Sequence, residues 1–247
     1  MATSDRRELY SRKDPVAYRK FVLILIASDN LHLFLKGMVD LDQDPFYSNG
    51  TTDEISKRLL GMLLTYDSPK GLVGGRIVET ETYMGQQDSA AHAFKGRRTA
   101  SNEPLYGPPG TVYIYSIHGR YLLDVAAQKK DVPQGILIRA IEPTIGLAIM
   151  EQNRTRHGVE LTNGPGKLME ALGIADKKMN MQIFGDSKLN IHQDDKKSPI
   201  QIEESNRIGV ANQGTWATKP LRYFVKGNPY VSGVKKRDYD RNTYGWR

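Results

Sequence analysis

The sequence predicts a single domain of the α+β class, and three observations carry that expectation. At 247 residues the chain is long enough to bury one sizeable core. A helix start is written into Thr51-Thr52-Asp53-Glu54, where Glu54 stands three residues after Thr51 as a capping box requires. Runs rich in β-branched and aromatic residues, punctuated by glycine and proline, read as strands.

Taken in order, Met1 to about Lys20 is polar, highly charged and expected to be poorly ordered. Phe21 to Val39 is largely apolar; it is too short and lacks the small-residue site of a secretory signal, so packing on the main domain is the better reading. Asp40 to Pro45 reads as a linker. Ile55, Leu59, Leu60 and Leu63 then fall on one face of a helix over 52–64. The turn cluster Asp67–Gly71 leads into a strand from Gly74 to Met84. Residues 85–110 form a long connection, and a connection of that length in a compact domain is usually functional. Strands follow at 111–117, 121–125 and 135–141, with Glu142-Pro143 as the expected end of the last. Helices are expected from Thr144 to about Arg156 and around Leu168 to Leu172. Residues 174–204 look irregular, and 207–210 and 221–225 look like short strands. The organisation expected is an N-terminal extension of unassigned role (1–45), a domain (46–234) and a basic C-terminal tail (235–247).

The formal net charge is +7 and the pI about 9.4. Such a balance favours an anionic partner, nucleic acid or a membrane surface. No apolar run approaches the length that spans a bilayer. The absence of cysteine removes disulfides, thiolate metal sites and thiol nucleophiles. The histidines are scattered without metal-binding spacing, and no Gly-x-Ser-x-Gly turn is present. Gly166-Lys167 lacks the flanking residues of a nucleotide-triphosphate loop, although a helix N-terminus of this kind can hold a backbone phosphate.

The chemistry concentrates on the strand Arg76-Ile77-Val78-Glu79-Thr80-Glu81-Thr82-Tyr83-Met84. Alternation puts Ile77, Glu79, Glu81 and Tyr83 on one face. Acids on a core-type strand are costly unless paired or used. Arg139 stands alone in the apolar run 135–141 and needs an acidic partner or an anionic ligand. Glu79 is the better candidate for a structural ion pair, with Arg76 or Arg139. Lys95, Arg97 and Arg98 in the long connection suit phosphate contact. A carboxylate that deprotonates water, rings that stack and loops that meet phosphate together suggest an enzyme acting on a base extracted from nucleic acid.

At these residues the sequence becomes recognisable. Glu79-Thr80-Glu81-Thr82-Tyr83, Ala90-Ala91-His92, Pro109-Gly110-Thr111-Val112-Tyr113-Ile114-Tyr115, Leu137-Ile138-Arg139-Ala140-Ile141-Glu142-Pro143, Asn163-Gly164-Pro165-Gly166-Lys167-Leu168 and Lys219-Pro220-Leu221-Arg222-Tyr223-Phe224-Val225 occur in that order. From about Phe46 to Ser232 the chain resembles the alkyladenine (3-methyladenine) DNA glycosylase family of the eukaryotic and Gram-positive type.

The resemblance implies a curved, mostly antiparallel sheet flanked by helices, with no metal and no cofactor. It implies a monofunctional hydrolase, monomeric and intracellular, that flips an alkylated or deaminated purine from double-stranded DNA and cuts its N-glycosidic bond. It would work in the cytoplasm of a bacterium or the nucleus of a eukaryote. Carried over by position, Glu81 matches the general base, and Arg139 the residue that helps hold the attacking water and the nucleotide phosphate. Tyr83, His92 and Tyr115 match the stacking pocket. His118 stands where the family often has a tyrosine that fills the gap in the duplex; histidine is smaller, so weaker plugging is expected, or a second wedge from Arg120. Arg97, Arg98, Arg120 and Lys167 are the expected DNA contacts. The family's pocket asparagine would fall near Asp124 or Val125, where this sequence departs from the pattern. The competing expectation is a non-catalytic DNA-binding protein on the same scaffold.

Overall fold

The fold is taken from a computed structural model, which describes residues 45–210 and 214–247. The expectations for Met1–Lys20, for the apolar segment Phe21–Val39 and for the linker up to Asp44 lie outside the described residues.

After one helical turn at Pro45–Ser48, helix α1 runs from Thr52 to Leu59. Its capping box is formed: Thr51 Oγ1 accepts from the Glu54 amide, and Glu54 Oε2 accepts from the Thr51 amide at 2.7 Å. The helix is shorter than expected. Gly61 takes φ +88, and a Cβ there would collide with the Lys197 carbonyl. From Met62 the chain is extended as β1 (Met62–Ser68), which pairs with β2 (Gly71–Tyr83). The apolar run 59–64 satisfies helix and strand periodicity alike, and long-range pairing decides between them.

All strand pairs are antiparallel. The remaining strands are β3 (Val112–Ile117), β4 (Arg120–Ala126), β5 (Gly135–Ile145), β6 (Leu189–Lys196), β7 (Ile202–Ser205) and β8 (Arg222–Val225). The sheet order is β3-β4-β5-β2-β1-β6. Opposite β5, strand β2 is flanked by β1 along its first half and by β8 along its second, and β7 closes on β8. The most chemically loaded strand is therefore central. β3 and β4 meet in a two-residue turn in which His118 and Gly119 both have positive φ, the primed geometry that matches strand twist.

The two faces of the sheet divide the labour. Val112 and Ile114, Leu123 and Val125, Ile136 and Ile138 join the main core. Helix α1 seals that core, its Ser56 hydroxyl donating to Thr80 at 2.9 Å, as do Leu168 and Leu172 of α3 (Pro165–Leu172). Their sequence neighbours Tyr113, Tyr115, Asp124, Leu137 and Arg139 face the other way, together with Glu79, Glu81 and Tyr83. This second face carries the site.

Other expectations are corrected. The register passes from Ile77↔Ile141 to Glu79↔Ala140, a bulge that breaks the alternation and sends Ile77 into the main core rather than beside Glu79. β5 continues through Glu142 and Pro143 to Ile145, the proline being tolerated where the register shifts. The following helix, α2, is only Leu147–Asn153 and starts after Gly146, not at Thr144. The 174–204 stretch contains β6 and β7; their outward residues are charged, which hid the strand signal. Arg207–Val210 is not a strand but an irregular segment, because Arg207 is drawn inward to Asp88. Residues 235–247 return to the domain, with Trp246 buried and the Arg247 amide donating to the Ser198 carbonyl.

Candidate active site

A cavity of about 440 Å³ opens on the second face of the sheet, a size typical of small-molecule sites. Its walls come from β2 (Tyr83), β3 (Tyr115, Ile117), the hairpin tip (His118), β4 (Leu122, Asp124), β5 (Leu137, Arg139), the 85–110 connection (Ala90, His92, Leu105) and the 207–210 segment. The residues expected to stack, Tyr83, His92 and Tyr115, are thus brought together around one space.

The rings are fixed by one another. His92 meets Tyr115 edge to face at 4.7 Å between centroids, and Tyr113 stacks under Tyr115 at 4.9 Å. His92 Nδ1 and the Tyr113 hydroxyl share a hydrogen bond of 2.7 Å. Packing on the tyrosines, then the nearby Arg97 charge, lower the His92 pKa, although its outer edge is open to solvent. His92 therefore presents a neutral imidazole at neutral pH. On Tyr83 the Arg207 guanidinium lies 4.6 Å from the ring centroid.

The two acids of β2 have different surroundings, and their pKa values shift in opposite directions. Glu79 is wholly buried and saturated. It accepts from Arg139 Nε, Arg222 Nε and the Ser232 hydroxyl, each at 2.7 Å, and from the Ser232 amide at 2.8 Å. Burial alone would raise its pKa, but Arg139, Arg222 and Ser232 outweigh burial and hold it below the usual carboxylate value. Arg76, the other partner considered from sequence, pairs with Asp195 instead.

Glu81 is equally buried but shares only Arg139, whose Nη1 lies at 3.1 Å. The Tyr83 hydroxyl donates to it at 2.9 Å and the Ile208 amide at 2.7 Å. Burial, with a further push from Glu79, raises its pKa against the opposing pull of Arg139, Ile208 and Tyr83. Glu81 therefore takes up a proton more readily than a free glutamate. It sits one layer behind the cavity wall, covered by Tyr83, Arg139 and Ile208.

None of the expected DNA contacts lines the cavity. Arg97 is exposed and makes no ion pair among the described residues. Arg98 is clamped by Glu103 and Asp131, Arg120 reaches Glu170 at 3.1 Å, and Lys167 reaches Glu160 at 2.6 Å. Exposed pairs of this type are worth under about 1 kcal/mol, so phosphate can replace the carboxylates. His118 stands at the tip of the β3–β4 hairpin beside exposed Ile117, and exposed Ile208 lines the same cavity. Among the described residues no three His, Asp or Glu side chains converge as a metal site would need.

Sequence reasoning missed Asp88, Arg207, Arg222, Ser232 and Ile208 as parts of the site. Arg222 carried a usable signal, a lone cation in the apolar run Leu221–Val225, the same signal that singled out Arg139.

Residues 45–229 match the family described as methylpurine-DNA glycosylase. A Latilactobacillus sakei protein named "Putative 3-methyladenine DNA glycosylase" is 52% identical over 202 residues, covering 81% of this chain and 95% of that protein. Proteins of the same name from Lactobacillus helveticus (46% identical; 83% and 100% covered) and Enterococcus faecalis (45%; 81% and 88%) align similarly.

Proposed function

The chain belongs to the methylpurine-DNA glycosylase family and is a DNA glycosylase of base-excision repair, and on that premise we propose that Glu81 is the base with which it hydrolyses the N-glycosidic bond of a damaged purine turned out of duplex DNA. Family membership displaces the competing reading of a non-catalytic DNA-binding protein. The observation that carries the assignment is the contrast between the two acids: Glu79 is saturated by two guanidinium groups and Ser232, whereas Glu81 shares one guanidinium and has a raised pKa.

The extruded purine occupies the cavity between Tyr83 and the His92–Tyr115 pair. N-alkylation makes a purine cationic, and the ring faces favour a cation. As the C1′–N9 bond lengthens, the sugar takes on oxocarbenium character, which a carboxylate beneath it stabilises. Water attacks C1′ and gives its proton to Glu81. For water to reach Glu81, one of that residue's partners must yield. The Ile208 amide, on an irregular segment, is the one held by neither charge nor strand pairing. Arg139 stays anchored on Glu79 and orients both the carboxylate and the water. His118, next to Ile117 at the hairpin tip, fills the space the nucleotide leaves in the stack. Arg97, Arg98, Arg120 and Lys167 track the phosphates of a double helix, and the protein acts as a monomer inside the cell. Among the described residues no helix is long and apolar enough to cross a membrane.

The test is release of 7-methylguanine or 3-methyladenine from methylated duplex DNA, read as breaks at abasic sites after alkali. Glu81→Gln should abolish release while binding to lesion-bearing DNA persists. Release by the variant at the wild-type rate overturns the assignment.

A further inference from the structure

The cavity holds a second buried carboxyl that this scheme does not use. Asp124 on β4 is 4% exposed, lines the cavity, and has one carboxyl oxygen, Oδ1, without any hydrogen-bond partner. The Tyr115 hydroxyl is its hydrogen-bonding neighbour. The titratable and charged groups facing it are Glu81 and Tyr83 from β2, Tyr113 and Tyr115 from β3, Arg139 from β5, and His92 and His118 at the cavity wall. Arg139 is engaged by Glu79 and Glu81, so among the described residues no cation pairs with Asp124. An unpaired buried carboxylate is expensive, and the inexpensive form is the protonated acid. Burial, with the Glu81 charge adding to it against the Tyr115 bond, pushes the Asp124 pKa up to about 8.

The placement of this acid relative to the base follows from strand register. Tyr113 lies opposite Asp124, Asp124 opposite Leu137, and Leu137 opposite Glu81, forming one row across β3, β4, β5 and β2. Residues in such a row point to the same face. Asp124 and Glu81 are separated by two strand spacings, about 10 Å, with Leu137 as the apolar floor between them. That gap suits one acid under the leaving group and one base under the sugar, as in glycoside hydrolases that use a water on the far side of the ring.

We propose that Asp124 is the general acid of this pocket, giving its proton to a ring nitrogen of a neutral purine as the glycosidic bond breaks. The inference rests on the reading of the cavity as the base pocket and of Glu81 as the base. The electron pair of the C1′–N9 bond goes to the purine, whose ring nitrogen takes the Asp124 proton, so the base leaves neutral. Water supplies hydroxide to C1′ and its proton to Glu81. Asp124 is left as a carboxylate and Glu81 as an acid, and exchange with solvent after product release restores both. An alkylated purine already carries the charge that the acid would create, and does not need it. Asp124 thus extends the substrate class from cationic alkylated purines to neutral deaminated ones.

The full-length chain, in excess over duplexes carrying one 7-methylguanine or one hypoxanthine, gives single-turnover release rates for the two classes. Asp124→Asn keeps the shape and removes the acid. Its hypoxanthine rate should fall at least about 100-fold further than its 7-methylguanine rate, in line with the usual worth of a general acid. With wild-type protein, hypoxanthine release should decline above about pH 8, and 7-methylguanine release should show no such decline. An equal loss on both duplexes assigns Asp124 a structural role and overturns the proposal. So does wild-type protein that releases 7-methylguanine but no hypoxanthine, or a hypoxanthine pH profile that the substitution leaves unchanged. Failure of the underlying reading looks different: wild-type protein releases neither base, or Glu81→Gln releases both at the wild-type rate.

Discussion

Asp88 and Arg207 meet in a bidentate ion pair with no exposed side-chain surface, Nη1 to Oδ2 at 2.6 Å and Nη2 to Oδ1 at 2.9 Å. The pair ties the long connection after β2 to the segment that covers Glu81. Asp88 also accepts from the Met84 and Ala90 amides, and Arg207 donates to the Thr82 and Trp216 carbonyls. Its neighbour Ile208 supplies the amide bound to Glu81. The pair therefore positions the segment that covers Glu81.

Arg207→Ala should be costly in both stability and turnover. Removing one partner of a buried pair leaves an uncompensated charge, worth about 3–5 kcal/mol. For a domain of this size that is a fall in Tm of roughly 10 °C. Thermal denaturation checks the first effect and 7-methylguanine release at a permissive temperature the second. An unshifted Tm would show that the pair carries no net stability.

How much of this was legible in the sequence depends on the range of the determining contacts. Glu81 and Tyr83 share a face by strand alternation, a local rule that two residues suffice to apply. Arg139 announced itself as a cation in an apolar run. What separates Glu79 from Glu81 lies elsewhere: the Ser232 groups that saturate Glu79 are 153 residues away, and the Ile208 amide on Glu81 is 127 away. No local pattern encodes such distances. The strand β1 was hidden for a related reason, since the residues from Leu59 to Leu64 become helix or strand according to partners still unformed at the local level. Asp124 did carry a local signal, an acid after Leu122-Leu123 and before Val125. Its consequence depends on having no cation beside it, which only the packed sheet decides.

The pH dependence of activity on alkylated purines should show a single acidic limb. Glu81 must be ionised to accept a proton from water, and its pKa lies above the ordinary 4.5 because of burial. Release of 7-methylguanine should therefore fall as pH drops through a midpoint higher than 4.5. A midpoint at or below that value would point to Glu79, the other acid of β2, whose pKa is lowered.

The same contrast predicts opposite stability effects. Glu79 has a folded pKa below its unfolded value, so the unfolded chain binds more protons between the two values. Its stabilisation is present above pH 4.5 and is lost as pH falls through the lowered pKa. Glu81 has a raised pKa, so its contribution is fully present below pH 4.5 and is lost as pH rises through the folded value. At pH 7, Glu79→Gln should destabilise by about 3–5 kcal/mol, because Arg139 and Arg222 lose their shared partner. Glu81→Gln should leave Tm within a few degrees of wild type or above it, since relieving a strained functional group often stabilises. Denaturant titrations of the two variants decide the matter. Equal losses would contradict the division of labour between the acids.

His118 should act on the DNA complex without contributing to the fold. It is exposed at a turn where His118 and Gly119 both have positive φ, and no hydrogen bond or ion pair among the described residues involves its side chain. Insertion of its ring between base pairs would gain stacking worth about 1–3 kcal/mol. His118→Ala should therefore weaken binding to lesion-bearing duplex by about tenfold or more, with Tm unchanged. A larger ring covers more of the vacated stack, so His118→Tyr should bind more tightly than wild type. Fluorescence anisotropy with a lesion-bearing duplex orders the variants, with Tyr tightest and Ala weakest. Indistinguishable affinities across the series would remove His118 from the interface and leave the exposed Ile117 and Ile208 at the cavity as the groups that fill the gap.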